Sequence, residues 1–133
     1  MNANELRIGN LIYKPIPKKD MPIEIVKILS INDSFDYLDV KNKDGYITES
    51  CELNKFIPIP LTEEILLKCG FEYQDDLGIF FKGLFEIQKL RLGIDLRERF
   101  EAMLYDFNPS LDYLHQLQNL YFALTGEELN VNL

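Results

Sequence analysis

A single histidine, His115, and two cysteines, Cys51 and Cys69, stand in 133 residues. One imidazole rules out any site built on paired histidines. Neither thiol has a Cys or His at knuckle spacing, so a zinc knuckle is excluded and no metal is expected. With no sign of export, Cys51 and Cys69 are expected as two reduced, half-buried thiols rather than a disulfide. Basic residues are also scarce, 14 Lys and Arg against 22 Asp and Glu, for a net charge of −8. A phosphate-gripping protein gathers Lys and Arg on one face, so direct nucleic-acid binding is not expected. No apolar run approaches the ~18 residues of a membrane span. The start, Met1-Asn2-Ala3-Asn4-Glu5, lacks the basic and then apolar regions of a signal peptide. A cytoplasmic location without a membrane partner follows as the expectation.

What is present is enough for one hydrophobic core. The chain is 47% hydrophobic and carries nine Phe and seven Tyr, large side chains able to fill it. A single domain over 1–133 is expected, with a β-rich sub-unit at 1–60 and an α+β sub-unit at 61–133. The acidity belongs to the second: residues 61–133 hold six Lys and Arg against thirteen Asp and Glu, and residues 1–60 hold eight against nine. Interleaving with apolar residues reads as a solvated surface. The sharper reading is an acidic nucleic-acid mimic that occupies a host DNA-binding protein.

The hydrophobic pattern predicts an α+β fold. In the first half, Leu6 to Tyr13 reads as a strand with a bulge or tight bend at Gly9-Asn10, and Pro15, Pro17 and Pro22 mark an exposed loop. Ile23 to Ile31 is apolar on both faces and reads as a central strand. Phe35 to Lys41 and Tyr46 to Cys51 flank Asp44-Gly45, a hairpin signal because a tight turn matching strand twist needs positive φ. Residues 6–60 thus predict a small bent antiparallel sheet or SH3-like barrel. Thr62 as N-cap, Glu63 and Glu64 in the first turn and Gly70 as stop predict a short helix at 62–69, closed by Phe71 against Leu66.

Antiparallel strands are predicted through 71–107: Phe71 to Tyr73, Gly78 to Lys82, Leu84 to Leu92, and 97–107, where a helical stripe competes with strand alternation. A C-terminal helix at about 112–125 follows, stopped by Gly126. Its stripe of Leu114, Leu117, Leu120, Tyr121 and Leu124 is expected to pack on the sheet. The alternating tail Leu129 to Leu133 suggests an edge strand.

The motifs that carry chemistry fail one by one. Asn42-Lys43-Asp44-Gly45-Tyr46-Ile47-Thr48 copies the centre of an EF-hand loop. Aligned on Gly45, it puts Val40 and Cys51 where the first ligand and the bidentate glutamate belong. The acidic pairs Glu63-Glu64, Asp75-Asp76 and Glu127-Glu128 sit at helix ends or a turn, where solvated charge is the usual role. No phosphate loop or nucleophile elbow occurs, so no catalytic residue, metal ligand or cofactor is assigned. His115, Gln118 and Asn119 fall at helical spacing beside the apolar stripe. They form a candidate polar edge that hydrogen-bonds within the protein or to a partner.

Three blocks carry a resemblance: Asn4-Glu5-Leu6-Arg7-Ile8-Gly9-Asn10; Ile59-Pro60-Leu61-Thr62-Glu63-Glu64 with Leu67-Lys68 and Gly70-Phe71; and His115-Gln116-Leu117-Gln118-Asn119-Leu120-Tyr121-Phe122-Ala123-Leu124-Thr125-Gly126-Glu127-Glu128-Leu129. On these residues the chain resembles an uncharacterised family of small proteins encoded by phages, prophages and mobile elements of gut bacteroidetes. The resemblance implies a single compact unit in a phage or prophage setting, which makes the expected cytoplasm that of a bacterial host, and it favours strand over helix for 97–107. It implies no activity. Residues 74–109 match none of the blocks, and a variable surface is expected there. The leading expectation is a non-enzymatic protein-interaction module of phage or prophage origin, binding a protein partner through a sheet edge or the 74–109 region. The alternative is a small enzyme using carboxylates and His115.

Overall fold

A computed structural model describes residues 1–15, 23–32, 34, 36–90 and 98–133. The chain divides into two compact units, Met1–Ile59 and Pro60–Leu133. The fold is α+β, as the pattern predicts: a four-stranded and a five-stranded antiparallel sheet, a short helix and a C-terminal helix packed on the second sheet.

The first unit is a meander of β1 (Leu11–Lys14), β2 (Glu24–Asn32), β3 (Tyr37–Asn42) and β4 (Ile47–Glu52), paired in chain order. Alternation points Ile12, Val26, Ile28, Leu38 and Val40 to one side, where Ala3, Leu6, Leu53 and Phe56 complete a core. Each such burial contributes roughly 1.5–3 kcal/mol. After a 3-10 turn at Leu53–Lys55, Ile57 bridges back to Tyr13 on the free edge of β1. That single bridge does not close a barrel, so the open bent sheet is the form adopted. The first strand is shorter than predicted. Regular pairing stops at Asn10 in a bulge at the predicted position: Gly9, with φ 96°, donates to Ile28 at 2.9 Å and Ile28 donates to Asn10 at 3.0 Å, so two residues oppose one on β2, while the Asn10 side chain accepts from the Arg7 N–H at 2.7 Å. The proline loop from Ile16 to Pro22 lies outside the described residues, as does Phe35.

Asp39 sits where the register slips twice, between Ile28 and Ser30 of β2 and between Leu38 and Val40 of β3. Its carboxylate accepts from the Ser30 hydroxyl at 2.6 Å and from the Ser50 N–H at 2.7 Å. These bonds, the Ser30 bond first, hold its pKa below the ordinary value. Ser50 meets it with a left-handed φ of 53°. The kink turns a β4 donor inward, which blunts this edge strand against pairing with another chain.

The second unit opens with α1 (Glu63–Lys68), one residue inside the predicted span at each end. Thr62 Oγ1 accepts from the Ile65 N–H at 3.2 Å. At the other end Phe71 donates to Leu66 and Gly70 to Leu67, each at 3.1 Å, the two bonds of a Schellman close. Five strands follow in chain order: β5 (Glu72–Gln74), β6 (Ile79–Lys82), β7 (Phe85–Leu90), β8 (Arg99–Ala102) and β9 (Ser110–Leu111). Four residues of the ambiguous 97–107 stretch are therefore strand; Arg91, Leu92 and Arg97 lie outside the described residues.

The helix α2 (Leu114–Thr125) starts where Gln116 reaches back, its Oε1 accepting from the Asp112 N–H at 2.8 Å and the Tyr113 N–H at 3.1 Å. It lies on the sheet through Tyr121, whose ring is 5.6 Å from that of Phe85. The Phe71–Phe85 and Phe80–Phe100 pairs extend this aromatic core, at 5.9 and 6.1 Å. The buried face comprises Leu114, His115, Leu117, Gln118 and Tyr121, whereas Leu124 of the predicted stripe is exposed. The tail adds no strand; its Asn132 N–H caps α1 by donating to Lys68 at 3.0 Å, while Leu129 is buried.

Candidate functional site

The predicted polar edge is mostly interior. His115 is 1% exposed, Gln118 is also buried, and Asn119 is half-buried. The His115 ring stacks on Tyr113, with 5.8 Å between centroids and 9° between planes. Tyr113 is the N-cap of α2 and His115 lies in its first turn, so the stack helps fix how the helix enters. An imidazole so enclosed has no path to a substrate. The depressions among the described residues include two that are open to solvent. One, about 560 Å³, is lined by Met1, Asn2, Asp36, Tyr37, Glu52, Leu53 and Asn54. The other, about 580 Å³, lies at the end of α1 and is lined by residues that include Cys69, Gly70, Lys82 and Asn132. Neither contains His115, Gln118 or Asn119. No group of three metal-ligating side chains occurs among the described residues.

The second depression is occupied by structural bonds. Lys82 Nζ donates to the Cys69 carbonyl at 2.8 Å and lies 5.6 Å from the Tyr121 ring centre. A cation at a helix C-terminus satisfies carbonyls that the helix leaves unbonded. Cys69 itself is buried, which pushes its thiol pKa up to about 12 despite the nearby Lys82 charge. Cys51 and Cys69 are both free thiols. Lys89 is likewise engaged, bonded to Glu63 and 3.2 Å from Glu98. The Glu63 hydrogen bond, more than any other contact, raises its pKa against the opposing effect of burial.

Among the described residues, the most exposed apolar side chains, Leu84 and Tyr105, lie at one end of the five-stranded sheet. Lys82 pairs with Phe85, so Gly83 and Leu84 form a two-residue hairpin loop between β6 and β7. Such a loop takes glycine first, in a positive-φ conformation, and Gly83 has φ +60°. Neither central residue has a cross-strand neighbour, and Leu84 is 101% exposed. On the adjacent strand Ile87 pairs with Ala102, and Met103 donates to Glu86 at 2.9 Å. The register therefore runs on to bring the β8–β9 loop beside Leu84. That loop turns tightly, with Leu104 donating to Phe107 at 3.3 Å, and presents Tyr105 at 102% and Phe107 at 63% exposure.

Each of these side chains forgoes about 1.5–3 kcal/mol that burial would contribute. At roughly 150–250 Å² for an aromatic side chain, the trio presents on the order of 400 Å². That is within the range of the largest apolar patch on an ordinary monomer, which is often functional.

These three residues were not legible as a site. The sequence places Leu84 in a strand and Phe107 at the end of another, because a lone apolar residue in a turn carries no periodic signal. The available signal was local: Gly83 before Leu84, and Tyr105-Asp106-Phe107 ahead of Asn108-Pro109. All three lie within 74–109, where the variable surface is expected. The chain matches no protein-family model, and no curated protein or solved structure is significantly similar to it.

Proposed function

We propose that the chain is a non-enzymatic protein-interaction module, phage- or prophage-encoded and working in the cytoplasm of a bacterial host. It docks through the loop end formed by Leu84, Tyr105 and Phe107. The observation that carries this reading is the full exposure of Leu84 and Tyr105 on two adjacent loops, where neither side chain adds to the protein's own core. The sheet edge is a poorer docking route, since Ser50 turns a β4 donor toward Asp39. A catalytic reading through His115 and carboxylates lacks support because the imidazole is enclosed. The acidic nucleic-acid mimic is the special case in which the partner binds DNA. The phage setting draws its support from the three sequence blocks alone.

The test is capture from a bacteroidete lysate with tagged wild type and with a Leu84→Ser/Tyr105→Ser variant. Wild type should retain a stoichiometric protein that the variant loses, at an unchanged melting temperature. Equal capture by both, or by neither, overturns the proposal.

A further inference from the structure

The loop end also carries charge of one sign. Residues 83–86 and 103–110 contain two ionisable acids, Glu86 and Asp106, and no Lys or Arg. Both carboxylates are exposed. Neither is paired with a cation among the described residues, where the three lysines of this unit are committed elsewhere. Lys68 pairs with Glu64, Lys82 holds the Cys69 carbonyl, and Lys89 sits between Glu63 and Glu98. Asp106 stands between Tyr105 and Phe107 in the chain, and Glu86 lies two residues past Leu84. An apolar trio is thus bordered by two uncompensated negative charges.

We infer that the occupant of this loop end is a basic protein surface: an apolar cleft or helix face bordered by Lys or Arg. This rests on the interaction-module reading and adds the chemistry of the partner. Three classes of occupant compete, and charge separates them. A second copy of the chain, docked about a twofold axis, would set Glu86 and Asp106 against their own equivalents, and like charges at an interface disfavour it. An anionic lipid surface is repelled by the same carboxylates and by the net charge of −8. A cationic rim is attracted by both, which speeds encounter and fixes orientation, while the apolar trio supplies the area that holds the complex.

The experiment pans a displayed random-peptide library on the full chain, with counter-selection on the Leu84→Ser/Tyr105→Ser variant. Recovered peptides are then titrated against wild type and a Glu86→Gln/Asp106→Asn variant at low and high salt. The expected peptides carry Lys or Arg beside aliphatic or aromatic residues. Their affinity should fall at least tenfold in Glu86→Gln/Asp106→Asn and again with added salt. Patch-dependent peptides without basic residues, or affinity indifferent to the two amide substitutions, overturn the partner chemistry and leave the docking site standing. Failure to recover any peptide that depends on Leu84 and Tyr105 overturns both. Two further measurements also overturn the inferred occupant: wild type co-sedimenting with phosphatidylserine-containing vesicles, or dimerising at micromolar concentration through Tyr105. Tyr105→Ser alone, a single surface change, serves should the double variant fold poorly.

Discussion

Replacing Gly70 by alanine tests how α1 is closed. Gly70 holds φ +86°, where a side chain brings a left-handed strain of about 1–2 kcal/mol. A second cost is particular to this site. The new Cβ would stand 3.1 Å from Lys82 Nζ and 3.7 Å from its Cε, so the ammonium must give by a few tenths of an ångström. That ammonium donates to the Cys69 carbonyl at 2.8 Å. A hydrogen bond from a charged group contributes about 1.5–3 kcal/mol when shielded, and lengthening it at this half-buried position should cost about 0.5–1 kcal/mol. The expected total is about 1.5–3 kcal/mol. Gly83→Ala is the control: φ is +60°, nothing lies within 4 Å of the added Cβ, and only the strain of about 1 kcal/mol applies. Urea unfolding followed by far-ultraviolet circular dichroism measures both. In a Lys82→Met background the excess of Gly70→Ala over Gly83→Ala should disappear. If Gly70→Ala costs no more than Gly83→Ala, or if Lys82→Met leaves the difference intact, the role given to Lys82 is wrong.

Other expectations follow from buried or bonded groups. His115→Ala should destabilise by about 2–4 kcal/mol in the same urea assay, since it empties a fully enclosed volume beneath α2; a loss under 1 kcal/mol would count against the internal role. Asp39 has a folded pKa below its unfolded value of about 3.9, so its contribution is present above that pH and is lost as pH falls through the lower folded pKa. Wild type should therefore be more stable than Asp39→Asn at pH 6, and the gap should narrow in acid; a gap constant from pH 6 to pH 2 refutes the carboxylate's part. Lys89 has a raised pKa, so what it contributes is full below its unfolded value of about 10.4 and fades as pH climbs through the folded one. Lys89→Met should remove that alkaline decline, read as stability against pH between 9 and 12. With a thiol-reactive chromogenic disulfide, native protein should release one fast equivalent from half-buried Cys51, and Cys69 should react only on unfolding.

Where local chemistry decides the backbone, the fold was readable in the sequence. Thr62, Glu63, Glu64 and Gly70 each act within one turn of α1, and the helix formed where they point. Asn42 to Gly45 turned as the Asp-Gly pair requires, aided by the Asn42 side chain accepting from the Tyr46 N–H at 2.8 Å. Elements set by distant partners were not readable. Leu6 to Ile8 is apolar enough for a strand, but regular pairing ends at the Gly9-Asn10 bulge, beyond which the Asn10 side chain takes the Arg7 N–H. The tail alternates like a strand, yet its Asn132 N–H meets a helix end. The α2 stripe predicted from Leu114, Leu117, Leu120, Tyr121 and Leu124 is buried at Leu114, Leu117 and Tyr121, whereas His115 and Gln118 take the buried places expected of Leu120 and Leu124. At the loop end, strand register puts the loops that carry Leu84 and Tyr105 at the same end of the sheet, and register is settled by pairings far along the chain.

The second unit places its side chains in a way that stability alone does not explain. It encloses an imidazole and a carboxamide in α2, where each needs satisfied polar contacts. It leaves Phe122 and Leu124 of the same helix exposed, and sets Leu84, Tyr105 and Phe107 outside on loops. Exchanging a loop tyrosine for serine should change stability by no more than about 0.5 kcal/mol and would lower the aggregation hazard. An exposed trio that stability does not require is most simply explained by a surface that must be buried elsewhere. The acidity then has a second role beside partner choice: with thirteen acids against six bases in residues 61–133, copies repel one another. On the proposed function, that repulsion would keep the exposed apolar side chains of separate copies apart until a partner of opposite charge is met.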